Sequence, residues 1–346
     1  MTFVHFLMLD SHPTNERSLL MSFDSAQTTM PQIDILMATF NGECYLREQL
    51  DSIISQSYSN WRLLVSDDVS QDSTLDILRS YEAVDSRIQV VSCNTKYGGA
   101  LPNFQSLLSY VESDYFMFCD QDDIWLDTKV EQSLNRIQEM ERSLGQDLPL
   151  LVYTDLKPVD EDLKPLADSL FDYESFSHEA GSLAKVFVEN NACGCTMLGN
   201  YTLCELMTRC ARLDGIVMHD WLANLVAHSF GSVSVIDQPT ILYRQHRGQA
   251  VGSHKFSFMS LVKSYDINRS RGYWAIYRRQ ARTFLDNYSG LVDETTRKTF
   301  NDFLNIFSSG RLTRIANSYR EGYLPTGFSR RLGQVIVFLT TSSFVD

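Results

Sequence analysis

From Ile33 to about Thr154 the chain alternates short apolar runs with amphipathic stretches, the pattern of βα units around a mostly parallel sheet. Five runs read as strands: Ile33–Ala38, Trp61–Ser66, Ile88–Val91, Tyr115–Cys119 and Leu150–Thr154. Between the first two, Leu46, Leu50, Ile53 and Ile54 recur at helical spacing and predict a helix over Cys44–Gln56, packed on the sheet. A second helix is predicted after Asp72, whose side chain can cap it ahead of Leu75 and Leu78. Residues 155–236 are less regular. They hold an apolar segment at Ala192–Leu198, a helical run from Thr202 and another around His219–His228, and a short strand follows at Thr240–Leu242. Past His254 arginines outnumber acids, with Tyr, Phe and Leu interleaved, which predicts a helical, basic C-terminal region over 253–346. The pattern thus divides into a loose N-terminal extension (1–30), an α/β domain (31–252) and that C-terminal region. No internal repeat or low-complexity tract interrupts it.

At 346 residues the chain can bury a substantial core, and its 44% hydrophobic and 21% charged residues are ordinary for a folded protein. The net charge of −13 argues against nucleic acid as a partner, since such binding needs clustered positive charge. An anionic substrate then needs local help from a metal or from basic side chains. Seven cysteines, an odd count scattered through apolar runs, do not make a disulfide framework and point to a reducing cytoplasm. Cys193, Cys195, Cys204 and Cys210 lack a C-x-x-C spacing and predict no structural zinc. The apolar patch Phe3–Leu9 lacks a basic flank and contains His5, so no signal peptide is expected. No later run reaches the roughly 18 apolar residues of a membrane span. The basic, aromatic stretch from Lys255 to Phe338 reads either as a solvated helical face or as a peripheral membrane-surface element.

Three motifs carry chemistry. In Phe116-Met117-Phe118-Cys119-Asp120-Gln121-Asp122-Asp123-Ile124-Trp125 an apolar strand runs into three carboxylates at its carboxyl end, the edge at which open α/β sheets bind ligands. Acids so clustered repel one another unless a cation neutralises them, and Mg²⁺ or Mn²⁺ suits carboxylate oxygens together with substrate phosphates. The alternative is a solvated turn that caps the next helix. In Leu63-Leu64-Val65-Ser66-Asp67-Asp68-Val69-Ser70 acids again follow a buried strand, where a carboxylate can accept hydrogen bonds from a base N–H or a ribose hydroxyl. In Ala38-Thr39-Phe40-Asn41-Gly42 small and turn-forming residues let backbone approach a ligand. Neither a G-x-G-x-x-G turn nor a P-loop is present, which counts against dehydrogenases and P-loop enzymes. The glycine-rich loop of a sugar nucleotidylyltransferase is missing too.

Taken in order, these pieces resemble the family 2 glycosyltransferases of the GT-A fold over about Ile33 to Gly252. The rhamnosyltransferase-like bacterial members share Asp120-Gln121-Asp122-Asp123-Ile124-Trp125 and a later Tyr243-Arg244-Gln245-His246. The resemblance implies a nucleotide-sugar half (31–154) and an acceptor half (155–252). It implies that Thr39, Asn41, Asp67 and Asp68 contact the nucleoside, Asp120 the ribose or a metal-bound water, and Asp122 a divalent metal. Met218-His219-Asp220-Trp221 lies where the family carries its base, usually as Glu-Asp, so Asp220 becomes the base and His219 a modulator; the other reading of Asp220 is a helix cap. Cys195, Thr196 and Trp221 would line the acceptor side. His246 and Arg247 would close on the diphosphate, His246 as a further metal ligand. The implied reaction is inverting, metal-dependent transfer of one sugar, first of all L-rhamnose from dTDP-rhamnose, to a glycan or lipid-linked acceptor. A UDP-sugar hexosyltransferase and a degenerate nucleotide-sugar-binding protein are the alternatives. Processive members carry Gln-x-x-Arg-Trp, which this chain lacks.

Overall fold

A computed structural model describes residues 30–246, 267–341 and 344. The predicted N-terminal extension, apart from Met30, and the predicted boundary at 252 lie outside the described residues. The chain from Pro31 onward forms one compact unit.

Strands β1 (Ile33–Thr39), β2 (Trp61–Asp67), β3 (Ile88–Ser92) and β4 (Tyr115–Cys119) make the parallel part of the sheet, with Ile33 level with both Trp61 and Tyr115. The remaining strands are β5 (Ile124–Trp125), β6 (Leu150–Val159), β7 (Leu198–Asn200) and β8 (Ser232–Arg244), in the order β3-β2-β1-β4-β7-β6-β8-β5. β7 runs antiparallel between β4 and β6, and β5 antiparallel to β8, while β6 and β8 are parallel. Because side chains alternate across a strand, β1 feeds two cores. Ile33, Ile35 and Met37 pack with Leu46, Leu50 and Ile53 of α1 (Leu46–Ile54), and Leu36 packs on the opposite face. Asp34 is buried in the same strand. Its carboxylate pairs with Arg62 at 2.9 Å and accepts the N–H groups of Glu112 and Ser113 at 2.9 and 3.0 Å, which offsets its desolvation.

The helix predicted after Asp72 is α2 (Thr74–Glu82); α3 (Ala100–Leu107) and α4 (Lys129–Leu144) follow. The short α5 (Leu170–Glu174) and α6 (Leu183–Val186) precede α7 (Tyr201–Thr208) and α8 (His219–Phe230). Asn200 caps α7, its side chain accepting the Leu203 N–H. The strand read at Leu150–Thr154 continues to Val159, and the one read at Thr240–Leu242 is the end of a 13-residue strand, because the two pair along their length. Lys157, Pro158, Asp237 and Gln238 conceal that pairing from an apolar pattern. Ala192–Leu198 is mainly a 3₁₀ turn at Gly194–Thr196 leading into β7.

The C-terminal helices are α9 (Ile267–Tyr288), α10 (Glu294–Ile306), α11 (Arg311–Glu321) and α12 (Phe328–Thr340). They share a core with one face of the sheet. Phe187, just after α6, stacks on Phe303 at 4.7 Å and meets Phe300 edge-on at 4.6 Å. Arg314 is buried and donates to the carbonyls of Ile306, Ser309 and Thr341, closing helix ends that have lost their own donors. Among the described residues no helix is long and apolar enough to cross a membrane.

Candidate active site

The carboxyl ends of β1, β2 and β4 converge on one edge of the sheet. Thr39 and Asp67 close their strands side by side, and the Thr39 hydroxyl donates to Asp67 Oδ2 at 2.9 Å. Asp67 also accepts the Ser70 N–H at 2.8 Å and the Ser70 hydroxyl at 2.6 Å. Asn41 takes the left-handed conformation (φ 49°), which asparagine tolerates, and locks the two loops together. Its N–H donates to Ser70 Oγ and its Oδ1 accepts the Gln71 N–H, each at 2.8 Å. Asp68 turns away from this cluster. Its carboxylate accepts the N–H groups of Tyr97, Gly98 and Gly99, so it orders the loop ahead of α3.

Asp120 follows β4 directly and is half-buried. Burial, with the charges of Asp122 and Asp220, raises its carboxyl to about 7. Asp122 Oδ2 lies 2.8 Å from His246 Nε2, joining two residues 124 positions apart. Asp123 is buried, and burial with the charges of Asp122 and Asp120 raises it well above the carboxylate range. One of its oxygens accepts the Arg244 N–H at 3.1 Å; the other has no partner among the described residues. Asp120, Asp123 and Cys195 bring donor atoms within 4.8 Å of one another.

Residues to which the sequence assigned no role also hold this edge in shape. Gln121 clamps the β1 loop, accepting the Phe40 N–H at 2.9 Å and donating to the Phe40 carbonyl at 3.0 Å. Gly42 lies so close that a Cβ there would stand 2.4 Å from the Gln121 oxygen. Arg244, buried at 2% exposure, donates to the carbonyls of Asp122 at 3.0 Å and Glu161 at 2.7 Å and pairs with Glu48. It lies over the Tyr45 ring, which also meets His246 at 4.8 Å. Lys129 is fully buried with its ammonium 4.4 Å from the Trp125 ring, and burial lowers its pKa to about 8. Only partners remote in sequence reveal the roles of Arg244 and Gln121, so no local signal could have assigned them.

Asp220 lies in the first turn of α8, where a negative charge suits the helix N-terminus. It accepts the N–H groups of Trp221 at 2.5 Å and Gly194 at 3.2 Å, and burial raises its carboxyl to about 6. The N-cap position of α8 is Met218, with no side-chain cap bond, so Asp220 sits within the first turn rather than at the cap. His219 beside it is wedged between Phe104 (3.9 Å) and Phe118 (4.6 Å), and neither ring nitrogen has a partner among the described residues. Burial lowers its pKa to about 3, so the imidazole is neutral.

Trp221 donates its indole N–H to the Val186 carbonyl at 2.6 Å and packs on Tyr277 of α9 at 5.4 Å. Cys195 and Thr196 are buried, the Thr196 hydroxyl donating to the Cys193 carbonyl at 2.7 Å, so neither presents its side chain at an open surface. Arg247 lies outside the described residues. All seven cysteines are free thiols.

Residues 34–146 match the model of the family described as Glycosyl transferase family 2. The dTDP-rhamnosyl transferase RfbG of Shigella flexneri is 31% identical over 247 residues, which span 68% of this chain and 80% of that protein. The chain belongs to glycosyl transferase family 2. Another relative, the UDP-Glc:alpha-D-GlcNAc-diphosphoundecaprenol beta-1,3-glucosyltransferase WfgD of Escherichia coli, is 34% identical over 103 residues, 30% of this chain and 40% of that protein. The crystal structure of S. aureus TarS residues 1–349 with UDP-GlcNAc superposes with a TM-score of 0.51 at 15% identity, covering 89% of this chain and 91% of that one. At that identity the likeness concerns fold alone. The glycosyltransferase has the GT-A fold expected from its sequence, a mostly parallel sheet flanked by helices with further helices at its C-terminal end.

Proposed function

We propose that this glycosyltransferase moves a single sugar, L-rhamnose from dTDP-L-rhamnose, onto a hydroxyl of a glycan or lipid-linked acceptor in surface polysaccharide synthesis. The carrying observation is the disposition of acids: Asp120 and Asp122 at the end of β4, with the Asp220 carboxyl close enough to Asp120 to raise it. RfbG, by its name and its extent of similarity, supports rhamnose as the sugar. A UDP-hexose is the second reading, favoured by WfgD over a shorter span. In this reading 31–154 bind the donor, with Thr39, Asn41 and Asp67 on the nucleoside, Asp68 behind them, Asp120 on the ribose side and Arg247 on the diphosphate. Residues 155–252 shape the acceptor side, with Cys195, Thr196 and Trp221 in its wall.

The donor set fits a divalent cation. Asp122 and His246 offer an oxygen and a nitrogen 2.8 Å apart, beside Asp120 and Asp123, whose carboxyls are raised by burial first and by the neighbouring acid charges second. Mg²⁺ or Mn²⁺ held by Asp122 and His246 would act as a Lewis acid on the departing nucleoside diphosphate. Asp220 takes the proton from the acceptor hydroxyl as its oxygen attacks the anomeric carbon and the diphosphate leaves from the opposite face. A single displacement inverts that carbon. A carboxyl near 6 is largely ionised at neutral pH yet basic enough to accept a proton in flight. Seven free thiols suit a reducing cytoplasm. The basic C-terminal helices leave peripheral attachment to the inner membrane face as part of the proposal.

The test measures metal-dependent binding and turnover across dTDP-, UDP- and GDP-sugars for the wild type, Asp122→Ala and Asp220→Asn. Expected are metal-dependent binding of dTDP-rhamnose, its loss in Asp122→Ala, and binding with transfer reduced about 10²–10⁴-fold in Asp220→Asn. Donor binding without transfer in the wild type would return the chain to the degenerate nucleotide-sugar-binding reading, and absence of binding to every nucleotide sugar would overturn the proposal.

A further inference from the structure

Helix α8 holds the segment from Val186 to Gly194 through three of its residues. Trp221 donates its indole N–H to the Val186 carbonyl at 2.6 Å, Asn224 Nδ2 donates to Asn190 Oδ1 at 2.9 Å, and Asp220 Oδ2 accepts the Gly194 N–H at 3.2 Å. Asp220 and Asn224 stand one turn apart on the same side of the helix. Asn190 shapes the stretch that leads to Gly194: its Nδ2 donates to the Ala192 carbonyl at 3.1 Å, and its Oδ1 accepts the Ala192 N–H at 3.4 Å. Beyond it the chain closes into the 3₁₀ turn, with the Thr196 N–H on the Cys193 carbonyl at 2.9 Å and the Met197 N–H on the Gly194 carbonyl at 3.0 Å. The Gly194 N–H thus reaches Asp220 from a short hydrogen-bonded bridge, and Asn224 ties that bridge to the helix.

Asn224 is fully buried among Leu222, Ala223, Leu225, Val226 and Ala227 of the same helix, all of them buried and apolar. Its Oδ1 has no hydrogen-bond partner among the described residues. A buried amide with an unmatched acceptor costs stability that a leucine of similar volume does not. Packing therefore gives no reason for an asparagine at this position, whereas the bond to Asn190 requires its N–H group.

We propose that Asn224, acting through Asn190, is a positioning residue that holds the Gly194 N–H on the Asp220 carboxylate. The proposal rests on the reading of Asp220 as the base. Of the two N–H groups on that carboxylate, that of Trp221 belongs to α8 itself, and that of Gly194 comes from the loop and depends on the tether. A hydrogen bond to a carboxylate favours its ionised form, here against the burial that disfavours it. Asp120 after β4 and Cys193 in the loop feel the charge of Asp220, and the substitutions that test the tether leave both in place.

The full chain is compared as wild type, Asn224→Leu, Asn190→Ala, the double variant, Asp220→Asn and, as a destabilised control, Phe303→Ala. Amide hydrogen exchange over residues 190–197 is followed by mass spectrometry, and turnover of dTDP-L-rhamnose is followed from pH 5 to 9. Asn224→Leu is expected to unfold at no lower temperature than wild type while its loop exchanges about tenfold faster. The acid limb of its kcat moves up by about one pH unit, the worth of one hydrogen bond to a charged group. Turnover then falls about fivefold at pH 6 and recovers above pH 8, with KM for the donor unchanged. Asn190→Ala, half-buried and so tolerant of truncation, shifts the limb alike, and the double variant is no worse than either single because both cut one chain of bonds. Unchanged exchange and an unmoved acid limb in Asn224→Leu, with Asp220→Asn inactive, overturn the positioning role and leave the base in place. A loss equal at every pH and matched by Phe303→Ala overturns it too. Normal turnover in Asp220→Asn overturns the base reading and the catalytic role of the tether together, even where exchange shows that Asn224 holds the loop.

Discussion

Asp220 meets two demands with one carboxylate: it accepts backbone N–H groups at the start of α8, and it is buried enough to hold a proton near neutrality. On the proposal that Asp220 is the base, its ionised form is the active one, so activity should rise with pH. We expect kcat/KM to be half-maximal near pH 6 and level above it, falling about tenfold per unit on the acid side, in a profile from about pH 4.5 to 8. A profile flat through pH 6 would remove Asp220 from the proton transfer. Gly194 supplies one of those N–H groups and has no room for a side chain, since a Cβ would stand 2.5 Å from His219 Nε2. The ring cannot retreat between Phe104 and Phe118. Gly194→Ala should therefore lower stability by about 1–3 kcal/mol in urea unfolding, the usual range for overpacking, and reduce kcat more than donor affinity.

Among the elements, β8 fixes the acidic loop that follows β4. Its last residue, Arg244, carries Asp122, Asp123, Glu48 and Glu161 on one buried guanidinium and its backbone, and so fastens the acidic loop to a strand more than a hundred residues later. Arg244→Met keeps much of the volume but leaves two part-buried carbonyl bonds and the Glu48 ion pair unmade. The expected cost is about 3 kcal/mol in denaturant unfolding, with metal affinity falling because Asp122 loses its anchor. A variant with wild-type stability and metal affinity would show that the loop is held by other contacts. The same pairing explains why β6 outruns its apolar pattern: Lys157 and Pro158 stay in the strand because they face Leu242 and Tyr243 of β8.

For the whole molecule, the C-terminal helices are part of the catalytic fold. Phe284, Phe300 and Phe303 are fully buried with Phe187 in the core that also holds Leu36 and Phe116 of the sheet. Phe303→Ala should cost about 3–5 kcal/mol, seen as a lower urea midpoint in a single transition that includes the α/β region. Two separated transitions, with the substitution moving only one, would show that the C-terminal region folds on its own.

Strands β1 to β4, helix α1 and the acids at the strand ends were legible from residue order, because apolar periodicity and polar punctuation are local properties of a chain. Thr39, Asn41, Asp67, Asp120 and Asp122 stand at or just after those strand ends, while the donor roles proposed for them come from the family resemblance. Tertiary structure alone assigned Asp68 to the loop ahead of α3, Trp221 to the carbonyl of Val186, Cys195 and Thr196 to the interior, and Arg244 and Gln121 to clamping the acidic loop. It also turned a basic tail read as an appendage into part of the core. The reason is common to all of them. A hydrogen-bond donor or a buried ring takes its meaning from the partner it meets, and here those partners lie tens to hundreds of residues away, brought together only when the sheet orders its strands and the helices close over it.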